Sequence, residues 1–301
     1  MPFRRGGREM IDERKADEIK NVEVDGYNLV TYSFGVGDEV LFCLNGGPGM
    51  ACDYIRDSHS WLADKGYRVV CHDQLGCGES DKPDDPALWT LERYVREAET
   101  VRAALGLGTV HLYGHSWGTW FGIEYALTYP DRFKTLVIAN GSANITHSVG
   151  EQMRLRRVLG TETEAMMQRY EARGMFDHPE YEAAVTLLNY RYVCCLETWP
   201  DALNRSILGF NPAPFVALQG PNEFCYTGAM KDWNRIADLH NITQPALIMT
   251  GCYDAGVGRR MADELPDAEV RTFKNGTHVI MWKEPEAYFE TLLAFLDANR
   301  S

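Results

Sequence analysis

A serine flanked by two glycines, in Gly114-His115-Ser116-Trp117-Gly118, constrains this chain more than any other stretch. It follows the apolar run Val110-His111-Leu112 and precedes a segment of helical character, Trp120 to Leu127. The pattern G-x-S-x-G between a strand and a helix is a nucleophile elbow, a turn tight enough to strain the serine backbone. Glycines two residues before and two after let the neighbouring backbones approach where a Cβ would clash. The product is a hydroxyl presented at the end of a strand, over the positive end of the following helix. A Gly-rich strand–helix turn with an incidental serine would look the same over five residues. The flanking segments favour the nucleophile.

Around this elbow the chain alternates strands and helices. Val22 to Tyr32 reads as a hairpin about an Asp25-Gly26 turn. Strands are expected at Glu39–Leu44, Tyr67–His72, Phe133–Ala139, Ala246–Gly251 and Val270–Phe273. Helices are expected near Cys52–Lys65, over Thr90–Leu105, and at the end over Glu286–Ala298. Such alternation implies an α/β architecture, a mostly parallel sheet covered by helices on both faces. From about residue 142 to 240 the rhythm changes to helical segments rich in Arg, Glu, Met and aromatics. The expected organisation is therefore a polar arm over 1–20, a core over 21–141 and 241–301, and a helical cap over 142–240. A cap inserted there would cover the edge where open parallel sheets bind ligands.

Composition narrows the function classes. With 30 Lys and Arg against 43 Asp and Glu, the net charge is −13. Nucleic acid or an anionic membrane surface would repel such a chain. No apolar run approaches membrane-spanning length, and residues 1–20 lack the apolar core of a signal peptide. The eight cysteines show no CxxC spacing, and Cys43, Cys71 and Cys252 sit in apolar strand-like runs. They read as reduced thiols in a cytoplasmic protein. No cluster has metal-ligand spacing and no phosphate loop opens a helix, so neither metal nor cofactor is expected.

A serine nucleophile needs a base, an acid to orient that base, and donors for the oxyanion. On this architecture the partners follow in the order serine, acid, histidine. Asp254 lies just past the strand ending at Gly251, and His278 just past the strand ending at Phe273. Alone, Asp254 would read as a turn residue and His278 as a packed or surface histidine. Their order and their shared position beyond strand ends favour a triad with Ser116. The backbone N–H groups of Trp117 and of Gly47, in Asn45-Gly46-Gly47-Pro48-Gly49, fit an oxyanion hole. His72, His111 and His115 read as structural.

These motifs resemble the proline iminopeptidase family of α/β-hydrolases. Asn45–Gly49 is similar to the family's HGGPG loop and Asp73–Ser80 to its DQxGxGxS loop. Gly114–Gly118, Gly251–Asp254 and Gly276–His278 fit its nucleophile, acid and base motifs. Within the cap, Glu197-Thr198-Trp199-Pro200, Gly220-Pro221-Asn222-Glu223-Phe224, Thr227-Gly228 and Lys231-Asp232-Trp233 resemble its tricorn-interacting aminopeptidases. The resemblance implies the α/β-hydrolase fold and hydrolysis of an amide next to a free α-amino group, through an acyl-enzyme. It implies Glu223 as a carboxylate holding the substrate ammonium, with Glu197 a weaker second. Two positions depart from the pattern. Ala255 stands where the tricorn-interacting relatives carry a second anchoring carboxylate, and Asn45 replaces the first histidine of its loop.

The expectation is thus a serine aminopeptidase or amino-acid amidase acting on a small molecule or short peptide with a free amine. An esterase or amidase for an uncharged small molecule, suggested by Ala255 and the Met-rich cap, is the alternative. A non-catalytic binding protein on a hydrolase scaffold is a third reading, disfavoured by the complete triad.

Overall fold

The computed structural model describes residues 14–253 and 255–300. Residues 1–13 of the expected arm, and the expected catalytic acid Asp254, lie outside the described residues. The chain opens with a hairpin, β1 (Glu18–Val24) and β2 (Tyr27–Phe34), closed by Asp25 at φ 52° and Gly26 at φ 84°. Two consecutive left-handed residues match the twist of the flanking strands, which is why Asp-Gly is favoured there. The first strand starts earlier than the sequence suggested, so Glu18, Ile19 and Lys20 belong to the sheet rather than to an arm. Val22 and Val24 bury one face, while the residues between and before them face solvent and hide the strand from a hydrophobicity reading.

Six further strands follow, β3 (Glu39–Leu44), β4 (Tyr67–His72), β5 (Val110–His115), β6 (Phe133–Ala139), β7 (Ala246–Gly251) and β8 (Ala268–Phe273). They form one sheet in the order β1-β2-β4-β3-β5-β6-β7-β8. The β1–β2 and β2–β4 pairs are antiparallel and all the others parallel. The central strands β5 and β7 are buried along their whole length, as expected of strands covered on both faces. At the far edge, β8 buries only Phe273, and Glu269 and Arg271 on its exposed stretch discourage pairing with another chain.

Helices α1 (Asp53–His59), α2 (Leu91–Ala104) and α3 (Trp117–Thr128) connect the first parallel strands. Thr90 caps α2 through its hydroxyl, which accepts from the Arg93 N–H at 3.3 Å. Helix α3 is buried on nearly all sides because α2 flanks it and aromatic side chains of the later chain cover it. Its start is packed so closely that a Cβ on Gly118 would collide with the Leu44 carbonyl at the end of β3. That approach joins the elbow to the loop after β3.

Between β6 and β7 run α4 (Ile145–Arg157), α5 (Thr161–Glu171), α6 (Pro179–Leu188), α7 (Asp201–Leu208) and α8 (Pro212–Leu218). A π-helical turn, Asn189–Val193, continues α6. These helices, and the segment that follows α8, are fastened to the sheet layer at several points. Glu124 of α3 accepts from Trp233 Nε1 and Arg235 Nε, both at 2.6 Å. The Tyr54 N–H donates to Ser206 Oγ at 2.9 Å, and Arg205 pairs with Asp57. The Asn211 N–H donates to the Gly49 carbonyl at 2.8 Å. Helices α9 (Ala255–Ala262), α10 (Ile280–Lys283) and α11 (Pro285–Ala298) complete the fold. Among the described residues no helix is long and apolar enough to cross a membrane.

Candidate active site

Parallel strands β3, β5, β7 and β8 end at one edge, and the loops that follow them converge there. Ser116 stands at the junction of β5 and α3 with φ 56° and ψ −123°. For a residue with a Cβ this is a strained conformation, costing on the order of 1–3 kcal/mol and found where function requires it. It is held on both sides: the Ser116 N–H donates to the Ala139 carbonyl at 3.0 Å, and its own carbonyl accepts from Thr119 at 2.9 Å. The side chain is half-buried at the positive end of α3.

The loop after β3 lies against the elbow. Gly47 has φ 125°, a conformation that favours glycine. Neither the Gly47 nor the Trp117 backbone N–H donates to a protein acceptor among the described residues, which leaves both for an incoming oxygen. The Gly46 N–H is instead taken by the Tyr54 hydroxyl at 2.7 Å. Asn45 fixes the loop from within. Its Nδ2 donates to the Met50 carbonyl at 2.7 Å, and its Oδ1 accepts from Gln74 Nε2 at 3.2 Å. Gln74 Oε1 in turn accepts from Trp117 Nε1 at 2.9 Å. The Asn45 departure thus keeps the loop bonded, through the glutamine of the Asp73–Ser80 segment, to Trp117. Asp73 anchors that segment, accepting from the Cys52 N–H at 2.9 Å and the Glu79 N–H at 3.0 Å.

The loop that carries His278 is tied in by a buried chain of hydrogen bonds. His115 Nε2 lies 2.8 Å from the His278 carbonyl, and a carbonyl only accepts, so this nitrogen carries the proton. His115 Nδ1 is then an acceptor, and the Tyr54 hydroxyl donates to it at 2.7 Å while accepting from Gly46. Burial, with the nearby His278, holds the His115 pKa well below the usual histidine range, so the neutral form persists. One line therefore runs from Gly46 in the loop after β3 through Tyr54 and His115 to the backbone of His278. The His278 N–H donates to the Tyr192 carbonyl at 2.9 Å, and the Cys252 N–H donates to the Gly276 carbonyl at 3.1 Å. The latter contact joins the loop after β7 to the loop after β8. Tyr54→Phe removes the acceptor of Gly46 and the donor to His115. It is expected to lower kcat about 10- to 100-fold with a smaller change in KM, measured by steady-state hydrolysis.

Ser116, His278 and Glu223 line one cavity of about 70 Å³, together with Tyr253 from the loop preceding Asp254. Among the described residues, Glu223 is the acidic side chain in that lining. Burial raises its pKa above the ordinary carboxylate value, opposed by the charge of His278 and by a hydrogen bond from Gln219 Nε2 at 3.1 Å. Its loop is well braced. Asn222 Oδ1 accepts from the Phe224 N–H at 2.9 Å, Asn222 Nδ2 donates to Tyr181 at 2.9 Å, and the buried Arg156 donates to the Phe224 carbonyl at 3.1 Å. Arg156 is itself paired with Glu171 at 2.9 Å. Glu197, by contrast, is exposed and does not line the cavity. With Thr198 it forms the exposed part of the segment between the π-helical turn and α7, whose Cys194 is buried.

Sequence reasoning missed Tyr54, Gln74 and Gln219 as parts of this site, and took His115 as merely structural. Gln74 carried a signal, standing beside Asp73 in a recognised motif. Tyr54 carried none, since nothing local marks a tyrosine in an amphipathic helix as reaching a loop eight residues back.

A family model described as the alpha/beta hydrolase fold matches residues 39–285. A proline iminopeptidase of Saccharolobus solfataricus is 32% identical over 262 residues, covering 85% of this chain and 84% of that protein. A proline iminopeptidase of Lactobacillus helveticus is 32% identical over 265 residues, with 86% and 90% covered. Among solved structures, VinJ superposes with a TM-score of 0.90 at 27% identity, covering 95% of this chain and 100% of VinJ. The proline iminopeptidase of Mycobacterium smegmatis superposes at 0.85 with 28% identity, covering 94% and 98%. The chain belongs to the proline iminopeptidase family of α/β-hydrolases.

Proposed function

We propose that this protein is a serine hydrolase that cleaves an amide bond next to a free α-amino group, as an aminopeptidase or amino-acid amidase. The observation that carries the reading is that the Glu223 carboxylate shares one cavity with Ser116 and His278. A carboxylate in a poorly hydrated cavity pairs strongly with an ammonium and fixes where the adjacent carbonyl lies. The curated relatives named proline iminopeptidase support the same reaction class.

In this mechanism the substrate ammonium docks on Glu223 and the neighbouring carbonyl faces Ser116. The Ser116 hydroxyl attacks as His278 takes its proton, and the oxyanion receives the N–H groups of Gly47 and Trp117. The C–N bond breaks as His278 protonates the departing amine, leaving an aminoacyl ester on Ser116. Water, deprotonated by His278, then releases the amino acid. Asp254 orients His278 and stabilises its charged form. Glu197 is exposed and outside the cavity, so the anchoring of the amine is assigned to Glu223. The substrate is a small amide or short peptide, and the site as drawn uses no metal or cofactor. We place the enzyme in the cytoplasm, a reading supported by buried free thiols such as Cys43, Cys52, Cys71 and Cys77.

Two measurements test the reading together. A fluorophosphonate probe should label Ser116, and aminoacyl-arylamides should release arylamine and free amino acid at rates that fall to background after labelling. Arylamide turnover that survives complete labelling would refute the mechanism.

A further inference from the structure

Gln219 follows α8 directly and is only 1% exposed. The chain then folds back on itself. Gly220 stands at φ 145°, and a Cβ there would collide with the Cys225 carbonyl, so the glycine lets residues 219 and 223 meet. Gln219 Nε2 donates to Glu223 Oε2 at 3.1 Å, and among the described residues no other group donates a hydrogen bond to that carboxylate. The main chain of Gln219 does separate work. Its N–H donates to the Phe215 carbonyl at 2.8 Å, and its carbonyl accepts from the Thr227 and Gly228 N–H groups at 3.0 and 2.8 Å. Those bonds, with the ones from Asn222 and Arg156, shape the loop without the amide. A buried amide in a loop already braced, and aimed at the carboxylate that lines the cavity, is placed to act on that carboxylate.

We propose that Gln219 is a positioning residue for the amine anchor, holding Glu223 as an anion in one orientation with Oε1 left for the substrate ammonium. This rests on the reading above that Glu223 binds the α-amine. An ionised carboxylate only accepts, so the amide nitrogen faces it. A hydrogen bond to the charged form favours that form, whereas burial disfavours it. Other groups act on Glu223 from neighbouring elements. His278, after β8, favours the anion when charged, and Tyr54 of α1 is kept neutral by burial. Tyr192, Tyr226 and Tyr253 share the cavity lining, and Arg156 is paired with Glu171. The base must be neutral to take the serine proton, so the charge of His278 is absent when substrate docks. Gln219 is the donor that remains.

The test is the pH dependence of kcat/KM for a free aminoacyl-arylamide, with the full-length enzyme and Gln219→Met, which keeps the length of the side chain and removes the donor. The acid limb that belongs to Glu223 should move up by about 1–2 pH units, the worth of a hydrogen bond to a charged group. The loss should be largest on the acid side, about 10-fold or more, fall mainly on KM, and shrink as pH rises. Gln219→Glu should also move the limb up, because neighbouring carboxylates do not both ionise readily. It keeps the native side-chain shape, so it reads the contact even if Gln219→Met does not fold. An acid limb unmoved in either folded variant overturns the proposal, and so does a loss equal at every pH, the mark of a merely structural residue. Glu223→Gln separates this inference from the reading beneath it. If that variant impairs free-amine substrates selectively while the Gln219 variants leave the limb in place, only this inference falls. If it treats free and N-acetylated substrates as wild type does, the anchor reading falls and this one with it.

Discussion

Ser116→Ala is expected to lower kcat/KM for a free aminoacyl-arylamide by roughly 10⁴- to 10⁶-fold, the range for deleting a nucleophile that acts as one unit with its base. The oxyanion donors and the amine anchor would remain, so substrate should still bind, with KM changed far less than kcat. The fold should be unaffected. The elbow is held by backbone bonds from Ser116 to Ala139 and Thr119, none of which uses the hydroxyl, and alanine fits wherever serine does. Thermal unfolding and single-turnover kinetics on the same preparation separate a lost nucleophile from a lost fold. A variant that unfolds early would mean that the hydroxyl holds structure rather than attacks substrate.

Glu223→Gln carries the second large effect. Truncating one member of a buried, hydrogen-bonded charge pair typically costs 2–5 kcal/mol, which corresponds to roughly 30- to several thousand-fold. The loss should fall on free-amine substrates and spare N-acetylated ones, which place no ammonium on the carboxylate. The pH dependence has a definite sign. Burial raises the Glu223 pKa above the ordinary value, so the anchoring anion is lost as pH falls through that raised value. The acid limb of kcat/KM for free-amine substrates should therefore include a carboxyl ionisation that is absent in the glutamine variant. Stability should move the opposite way. A folded-state pKa above the unfolded one contributes stability that is present below the unfolded pKa and lost as pH rises through the folded one. The variant should thus melt higher than wild type at neutral pH, with the gain shrinking toward pH 4. Improved stability with impaired turnover is what a carboxylate buried for function, rather than for folding, would give.

The elements of the fold were largely readable because they depend on local patterns. Continuous apolar runs marked β5 and β7, and Thr90 with the spacing that follows it marked the start of α2. The Asp25-Gly26 pair marked the hairpin. The limits of β1 escaped because its first residues face water, and alternation shows only once Val22 and Val24 turn inward. The site divides along the same line. Ser116, His278 and Glu223 carried motif signals and do share a cavity. Glu197 carried one as well but lies exposed outside it, since a motif does not say which way a loop faces. The Tyr54–His115–His278 line joins residues 61 and 163 positions apart, and no window of sequence contains it.

The central claim is that the enzyme selects an amide by the free ammonium beside it. The most direct measurement is the ratio of kcat/KM for one aminoacyl-arylamide to that of its N-acetylated form, with wild-type enzyme at neutral pH. The expected ratio is about 100 or more in favour of the free amine, the worth of a desolvated charge pair. Equal or faster cleavage of the acetylated form would contradict it and point instead to an amidase or esterase for uncharged substrates.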